Sequence, residues 1–267
     1  MESLIIFLNT CSTESIIVLE FITLLSLLTT AAYFFGKNGI YAMIILTMIV
    51  ANLQVLKIVE FGFYPEPIAL GKMTICFSFL ASDILTEFYG KRSAYEGVYL
   101  GFFANISLML LMVVTVGYAP LGADAGFNLH PELKTIFTPM PLIFISGIIA
   151  FLVSQFLDIH LYLRIKERFQ GKYMWLRSFI STVTASLLDN IVFYTFAFYI
   201  FQRFVTLDSL IYSYIIGTFI FRVSIVFFSS FIIYIIKIAL SRHKNRIQSN
   251  VYENKEYDSL GLSTTGS

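Results

Sequence analysis

Among the ionisable side chains inside long apolar runs of this 267-residue chain, five call for inspection: Asp83, Glu87, Asp158, Asp189 and Arg222. Asp83 and Glu87 are four residues apart in Ser82-Asp-Ile-Leu-Thr-Glu87, so on a helix both project from one face, a turn apart. Asp158 follows Gln155 by three residues and shares its face. Asp189, next to Asn190, and Arg222 fall near the middle of their runs. A charge at the centre of a membrane helix costs about 2.5 to 3.5 kcal/mol on insertion scales, so each needs a partner or a purpose. One guanidinium can compensate one aspartate and fix helix register. The remaining carboxyl groups then have to be protonated, hydrated in a cavity, or met by a ligand's donors. The last two conditions describe a transport site, with Asp83, Asp158 and Asp189 expected to line one cavity and Arg222 to compensate one of them. Glu87 has an equally good alternative, contact with Lys91 and Arg92 at the end of its run.

Other polar residues carry weaker signals. Lys57, Glu60 and Lys72 stand near the ends of apolar runs, where snorkelling or local pairing accounts for them. His160 follows Asp158 beside a basic loop and reads first as an interfacial histidine. Gly97 and Gly101, with Asn105 a turn further, form a small-residue stripe that permits close helix contact. Ser181, Thr182, Thr184, Ala185 and Ser186 make a similar small, polar stretch ahead of Asp189, suited to packing or to bordering a wet path. Cys11 and Cys76 are far apart, with Cys76 in an apolar run, and read as small hydrophobes.

The elements that position these groups are membrane helices. Of the chain 57% is hydrophobic and 13% charged, against about 25% charged in an average soluble domain. A crossing helix needs about 20 mostly apolar residues, and seven stretches qualify: Ile16 to Phe35, Ile40 to Ile58, Pro67 to Phe88, Gly97 to Tyr118, Met140 to Leu163, Ser178 to Phe201 and Ile211 to Leu240. One set of loops holds Lys37, Lys91, Arg92, Arg164, Lys166, Arg168, Lys172, Arg177, Arg242, Lys244 and Arg246, the other only Lys134 and Arg203. Basic loops stay cytoplasmic, so the N-terminus is expected outside and the C-terminus inside, as an odd number of spans requires. The expected architecture is an all-α transmembrane bundle over 16–240, between an outer segment 1–15 and a polar, disordered cytoplasmic tail 241–267. The opening Met1-Glu2 lacks the basic start of a cleaved signal peptide. A net charge of +1 argues against a nucleic-acid surface.

The segment from Phe77 through Ser82-Asp83-Ile-Leu-Thr-Glu87-Phe-Tyr-Gly90-Lys91-Arg92 resembles the signature of the queuosine-precursor, or vitamin-uptake, transporter family. Ser154-Gln-Phe-Leu-Asp158-Ile-His160, Ser186-Leu-Leu-Asp189-Asn190 with Ala197-Phe198 after it, and Asn52 to Glu60 with Pro65 downstream are similar to further parts of it. Asn190 departs from the Thr or Ser that many members carry after the aspartate, which leaves solute choice open. The resemblance implies a multi-pass protein of the inner or plasma membrane that imports a 7-deazaguanine, queuine or a precursor, for tRNA modification, without a cofactor. Such a base offers an edge of N–H donors that a carboxylate accepts in a bidentate manner, a carbonyl that Gln155, Asn190 or Asn105 could read, and a face on which Phe and Tyr stack. Expected solute-binding residues are therefore Asp83, Glu87, Asn105, Gln155, Asp158, Asp189, Asn190 and Arg222.

Competing classes meet specific objections. A substrate-binding subunit of an energy-coupling-factor uptake system would need separate ATPase partners, since this chain has no Gly-x-x-x-x-Gly-Lys-Ser/Thr loop. That class, like a homo-oligomer, concerns partners rather than the solute site. An intramembrane aspartyl protease could use paired aspartates, but its Gly-x-Gly-Asp context is absent. A retinal protein would need a buried lysine in the last helix, where mid-depth holds Arg222.

Overall fold

The computed structural model describes residues 2–62, 64–119, 129–137, 140–197, 215 and 218–259. The expected end of the sixth span at Phe201, the start of the seventh at Ile211, and the positions of Phe198 and Arg203 lie outside them.

The described chain is predominantly helical. A short helix α1 (Glu2–Thr10) precedes α2 (Thr13–Phe35), whose first turn is capped by the Ser12 hydroxyl accepting from the Ser15 amide. Gly36, at φ +55°, turns the chain at once into α3 (Lys37–Gln54), and the two helices meet backbone to backbone: a Cβ on Gly39 would stand 2.1 Å from the Ala31 carbonyl oxygen. Then come α4 (Lys72–Phe88), α5 (Gly90–Gly117), a short α6 (His130–Phe137), α7 (Met140–Arg168), α8 (Met174–Tyr194), α9 (Thr218–Ser230) and α10 (Ile232–Ser259). The last two are separated at Phe231. Helix α10 continues to Ser259, past the point at which a polar tail was expected to begin.

Among the described residues five helices are long and apolar enough to cross a membrane: Thr13–Phe35, Gly90–Gly117, Phe144–Arg168, Met174–Ala197 and Thr218–Asn245. Their exposed apolar side chains, such as Phe103, Leu111 and Val114 on α5, form a surface suited to lipid. Helices α3 and α4, at 18 and 17 residues, are shorter. Between them the sequence expectation needs correction. The second apolar helix does not run to Ile58, nor does the third begin at Pro67. Strands β1 (Ile58–Phe61) and β2 (Tyr64–Ala69) instead pair as an antiparallel hairpin, with Ile58 opposite Ala69 and Val59 opposite Ile68. Pro65 and Pro67 bring no backbone N–H to a helix. Gly71, at φ +90°, makes the turn into α4.

Helix α4 packs against α3, α5, α7, α8 and α9, and apart from Ile75 every residue from Lys72 to Thr86 is buried. The main core cluster joins it to α2, α3 and α10 through Leu28, Ile44, Phe77, Ile84 and Ile233. The bundle thus has a hairpin end, where α3 and α4 are joined by the strands, and a basic end, where α2–α3, α4–α5 and α7–α8 are joined.

Candidate functional site

Helix α8 carries the polar seam. Its buried face runs through Arg177, Ser178, Ser181, Thr182, Ser186, Asp189, Asn190 and Phe193, the three-to-four spacing of one helical stripe. Ser186 returns its hydroxyl to the Thr182 carbonyl at 2.6 Å, and Ser154 does the same to Ala150 at 2.6 Å, so small polar residues stay satisfied without solvent. Thr184 points away and is exposed.

Toward the hairpin end, Arg222 is fully buried. Its Nη1 donates to Asp189 Oδ2 at 2.6 Å, Asn190 Oδ1 at 2.7 Å and the Ser186 carbonyl at 3.4 Å. Asn190 in turn donates to the Thr218 hydroxyl at 3.0 Å and the Ile215 carbonyl at 3.4 Å. Arg222 is thus the partner of Asp189, and Asn190 braces the pair with both ends of its amide. Asp189 also lines a cavity of about 50 Å³ together with Asn52, Lys72, Gly147, Leu70 and Phe193. Lys72 is 6% exposed and its ammonium lies 4.9 Å from the Phe193 ring centre and 4.4 Å from that of Tyr194, a cation–π setting. Asn105 donates to the Gly101 carbonyl at 2.9 Å and accepts from Asn52 Nδ2 at 2.9 Å. It orients Asn52, which lines the cavity. Gly97 and Gly101 let α5 approach α3, since a Cβ there would lie 2.8 Å from Ile44 Cδ1 or Met48 Sδ respectively.

Nearer the basic end, Asp83 and Asp158 form a second group. Ser178 donates its hydroxyl to Asp83 Oδ2, and the Thr182 hydroxyl stands 3.3 Å from Asp83 Oδ2 and 3.4 Å from Asp158 Oδ1. Both aspartates and Gln155 are 0% exposed. Thr182 is seven residues before Asp189, about 10 Å along the helix. The three aspartates expected to share one cavity therefore lie in two groups along α8, with Asp189 alone on the cavity wall.

At the basic end itself Glu87 accepts from the Tyr162 hydroxyl at 3.0 Å and forms ion pairs with Lys166 Nζ at 3.0 Å and Arg177 Nη2 at 3.1 Å. Arg177 is fully buried, with its guanidinium 5.4 Å from the Tyr162 ring centre. These contacts tie α4 to α7 and α8, and they differ from the Lys91 and Arg92 contacts considered from sequence; Arg92 pairs with Glu96 at 3.2 Å instead. His160 is exposed and meets the Tyr95 hydroxyl at 3.2 Å, outside all three groups.

Sequence reasoning passed over Lys72, Asn52 and Phe193 as cavity residues and took Arg177 for a loop cation. For Lys72 the available signal was its place right after Gly71, downstream of two prolines. For Arg177 it was a spacing of four residues from Ser181, one helical turn, which puts both on one α8 face.

The sequence profile of a family described as "Putative vitamin uptake transporter" matches residues 69–236, well over half of the chain. A "Probable queuosine precursor transporter" from Bacillus subtilis (strain 168) is 34% identical over 166 residues, 61% of this chain and 70% of that protein. A protein of the same description from Haemophilus influenzae (strain ATCC 51907 / DSM 11121 / KW20 / Rd) is 27% identical over 129 residues, 48% of this chain and 51% of that protein. No solved structure matches.

Proposed function

The chain belongs to the vitamin uptake transporter family, and from that premise we propose that this multi-pass membrane transporter imports a queuosine precursor of the 7-deazaguanine class. The carrying observation is that a buried carboxylate, Asp189, lines a cavity beside an ammonium and an aromatic ring. Asp189 accepts the N–H edge of the base, Phe193 stacks on its face, and Lys72 or Asn52 donates to its carbonyl oxygen. Arg222 holds Asp189 in place as an acceptor. The names of the two relatives support this solute class.

In this reading seven spans cross the membrane, α3 and α4 among them, with the basic end in the cytoplasm and the hairpin end outside. The cavity is well below the roughly 300 Å³ at which ligand pockets begin, so its walls part to admit a base. Val55, just past the end of α3, and Leu70 and Gly71 at the foot of the hairpin are the wall residues outside a regular helix. The contacts of Glu87 then form the inner closure.

The test is uptake of labelled queuine and its nitrile and aminomethyl precursors by a queuosine-deficient host expressing the chain, with guanine as competitor. Saturable uptake of at least one deazaguanine, lost in Asp189→Asn at wild-type expression, is expected. Full uptake by that variant, or none by the wild type, would refute the assignment. Uptake by the purified protein alone in liposomes is expected too; a requirement for added ATPase components would place it with the energy-coupling-factor systems.

A further inference from the structure

The Asp83–Asp158 group is the part of the seam that solute recognition does not use. The other interior carboxylates near it have cationic partners: Asp189 has Arg222, and Glu87 has Arg177 and Lys166. Among the described residues no Lys, Arg or His forms an ion pair with Asp83 or Asp158. Of the ionisable groups on the packed elements, Tyr162 on α7 and Arg177 on α8 engage Glu87, and Arg222 on α9 engages Asp189. None from α2, α3, α5 or α10 is hydrogen-bonded to either carboxyl among the described residues.

Two ionised carboxylates taken wholly out of water without a counter-charge are too costly to persist, so each has to take up a proton or a cation. The surroundings supply oxygen ligands rather than positive charge. Asp83 Oδ1, Asp158 Oδ2 and both amide atoms of Gln155, which shares the inward face of α7 one turn from Asp158, are buried without a protein hydrogen-bond partner. The Ser178 and Thr182 hydroxyls complete a set of hard oxygen donors, the ligand type that alkali and alkaline-earth cations prefer. A site tied to α4, α7 and α8 at once also spans the helices that Glu87 joins one turn away.

We propose that Asp83, Asp158, Ser178 and Thr182, with Gln155 beside them, form a site in which one carboxyl is a neutral acid and the other binds one monovalent cation, a sodium ion or a proton, whose binding and release drive solute movement. The binding half stands on the structure. The driving half rests on the transporter reading above.

The purified protein in detergent, without solute, is melted in a sodium titration at constant ionic strength made up with choline, with potassium as control, and in a pH titration free of sodium. The sodium form of the site predicts a saturable rise in melting temperature with sodium that potassium does not reproduce, absent from Asp158→Asn. The proton form predicts no sodium effect and a pH dependence of melting that Asp158→Asn abolishes. Thr182→Val, a milder change should the aspartate variants fail to fold, is expected to weaken the sodium response about tenfold or more or to displace the pH response. Identical behaviour of wild type and variants in both titrations would overturn the site. In liposomes, uptake should follow the same cation's gradient; cation binding without any uptake would refute the functional reading and leave the site standing.

Discussion

Arg222 depends on three acceptors, two of them side chains of neighbouring residues on α8. Removing one member of a buried ion pair strands the other, at a cost of about 3 to 5 kcal/mol, whereas replacing both by neutral groups is far milder. Arg222→Gln and Asp189→Asn are each expected to lower the melting temperature of the purified protein sharply, with the double variant recovering a substantial part of the loss. Additive losses in thermal melts would contradict the pairing. Lys72 poses a different question, because its ammonium sits over two rings at the cavity wall and forms no ion pair among the described residues. Lys72→Met keeps the stem and removes the charge; it is expected to raise the half-saturating solute concentration several-fold with little change in melting temperature. Unaltered uptake kinetics would remove Lys72 from the recognition set.

At the scale of elements, Glu87 gathers contacts from α7 and α8 onto the end of α4. If these contacts close the basic end, Glu87→Gln should make Ser178→Cys, one residue beyond Arg177, react faster with a hydrophilic maleimide added from that side. An equal labelling rate with Glu87 intact would show that the closure lies elsewhere. Much of the helix pattern was legible beforehand, because runs of about 20 apolar residues have few alternatives to spanning helices. The hairpin was not. Asn52 to Lys57 carries no Gly or Pro to end the helix before it, and only Pro65 and Pro67 warn of a break. The acidic positions stood out as costly residues in apolar runs, yet their grouping was hidden. Thr182 meets Asp83 across 99 residues of chain and Asp158 across 24, a relation set by how helices rotate against one another. Sequence spacing reports the face of each helix, not which faces meet.

For the molecule as a whole, the unequal sharing of basic residues between the two ends predicts a fixed orientation. In a Cys11→Ser background, Lys172→Cys should label with membrane-impermeant maleimide only after permeabilisation of cells, and Lys134→Cys should label on intact cells. Both positions are exposed on the described chain. The reverse pattern would invert the bundle and turn the cavity toward the cytoplasm.

The near-total burial of α4 bears on how such a chain is made. A 17-residue segment that contains Lys72, Asp83 and Glu87 is a poor substrate for the insertion machinery, which partitions each emerging segment by its own affinity for lipid. A single residue, Tyr89, separates α4 from the strongly apolar α5. In the seven-span reading proposed above, the two therefore enter the bilayer as one helical hairpin, with α5 providing the affinity that α4 lacks. Until α7 and α8 emerge from the ribosome, Asp83 and Glu87 have none of the partners described above, so this half-built protein is the stage at which cellular quality control finds exposed charge in the membrane.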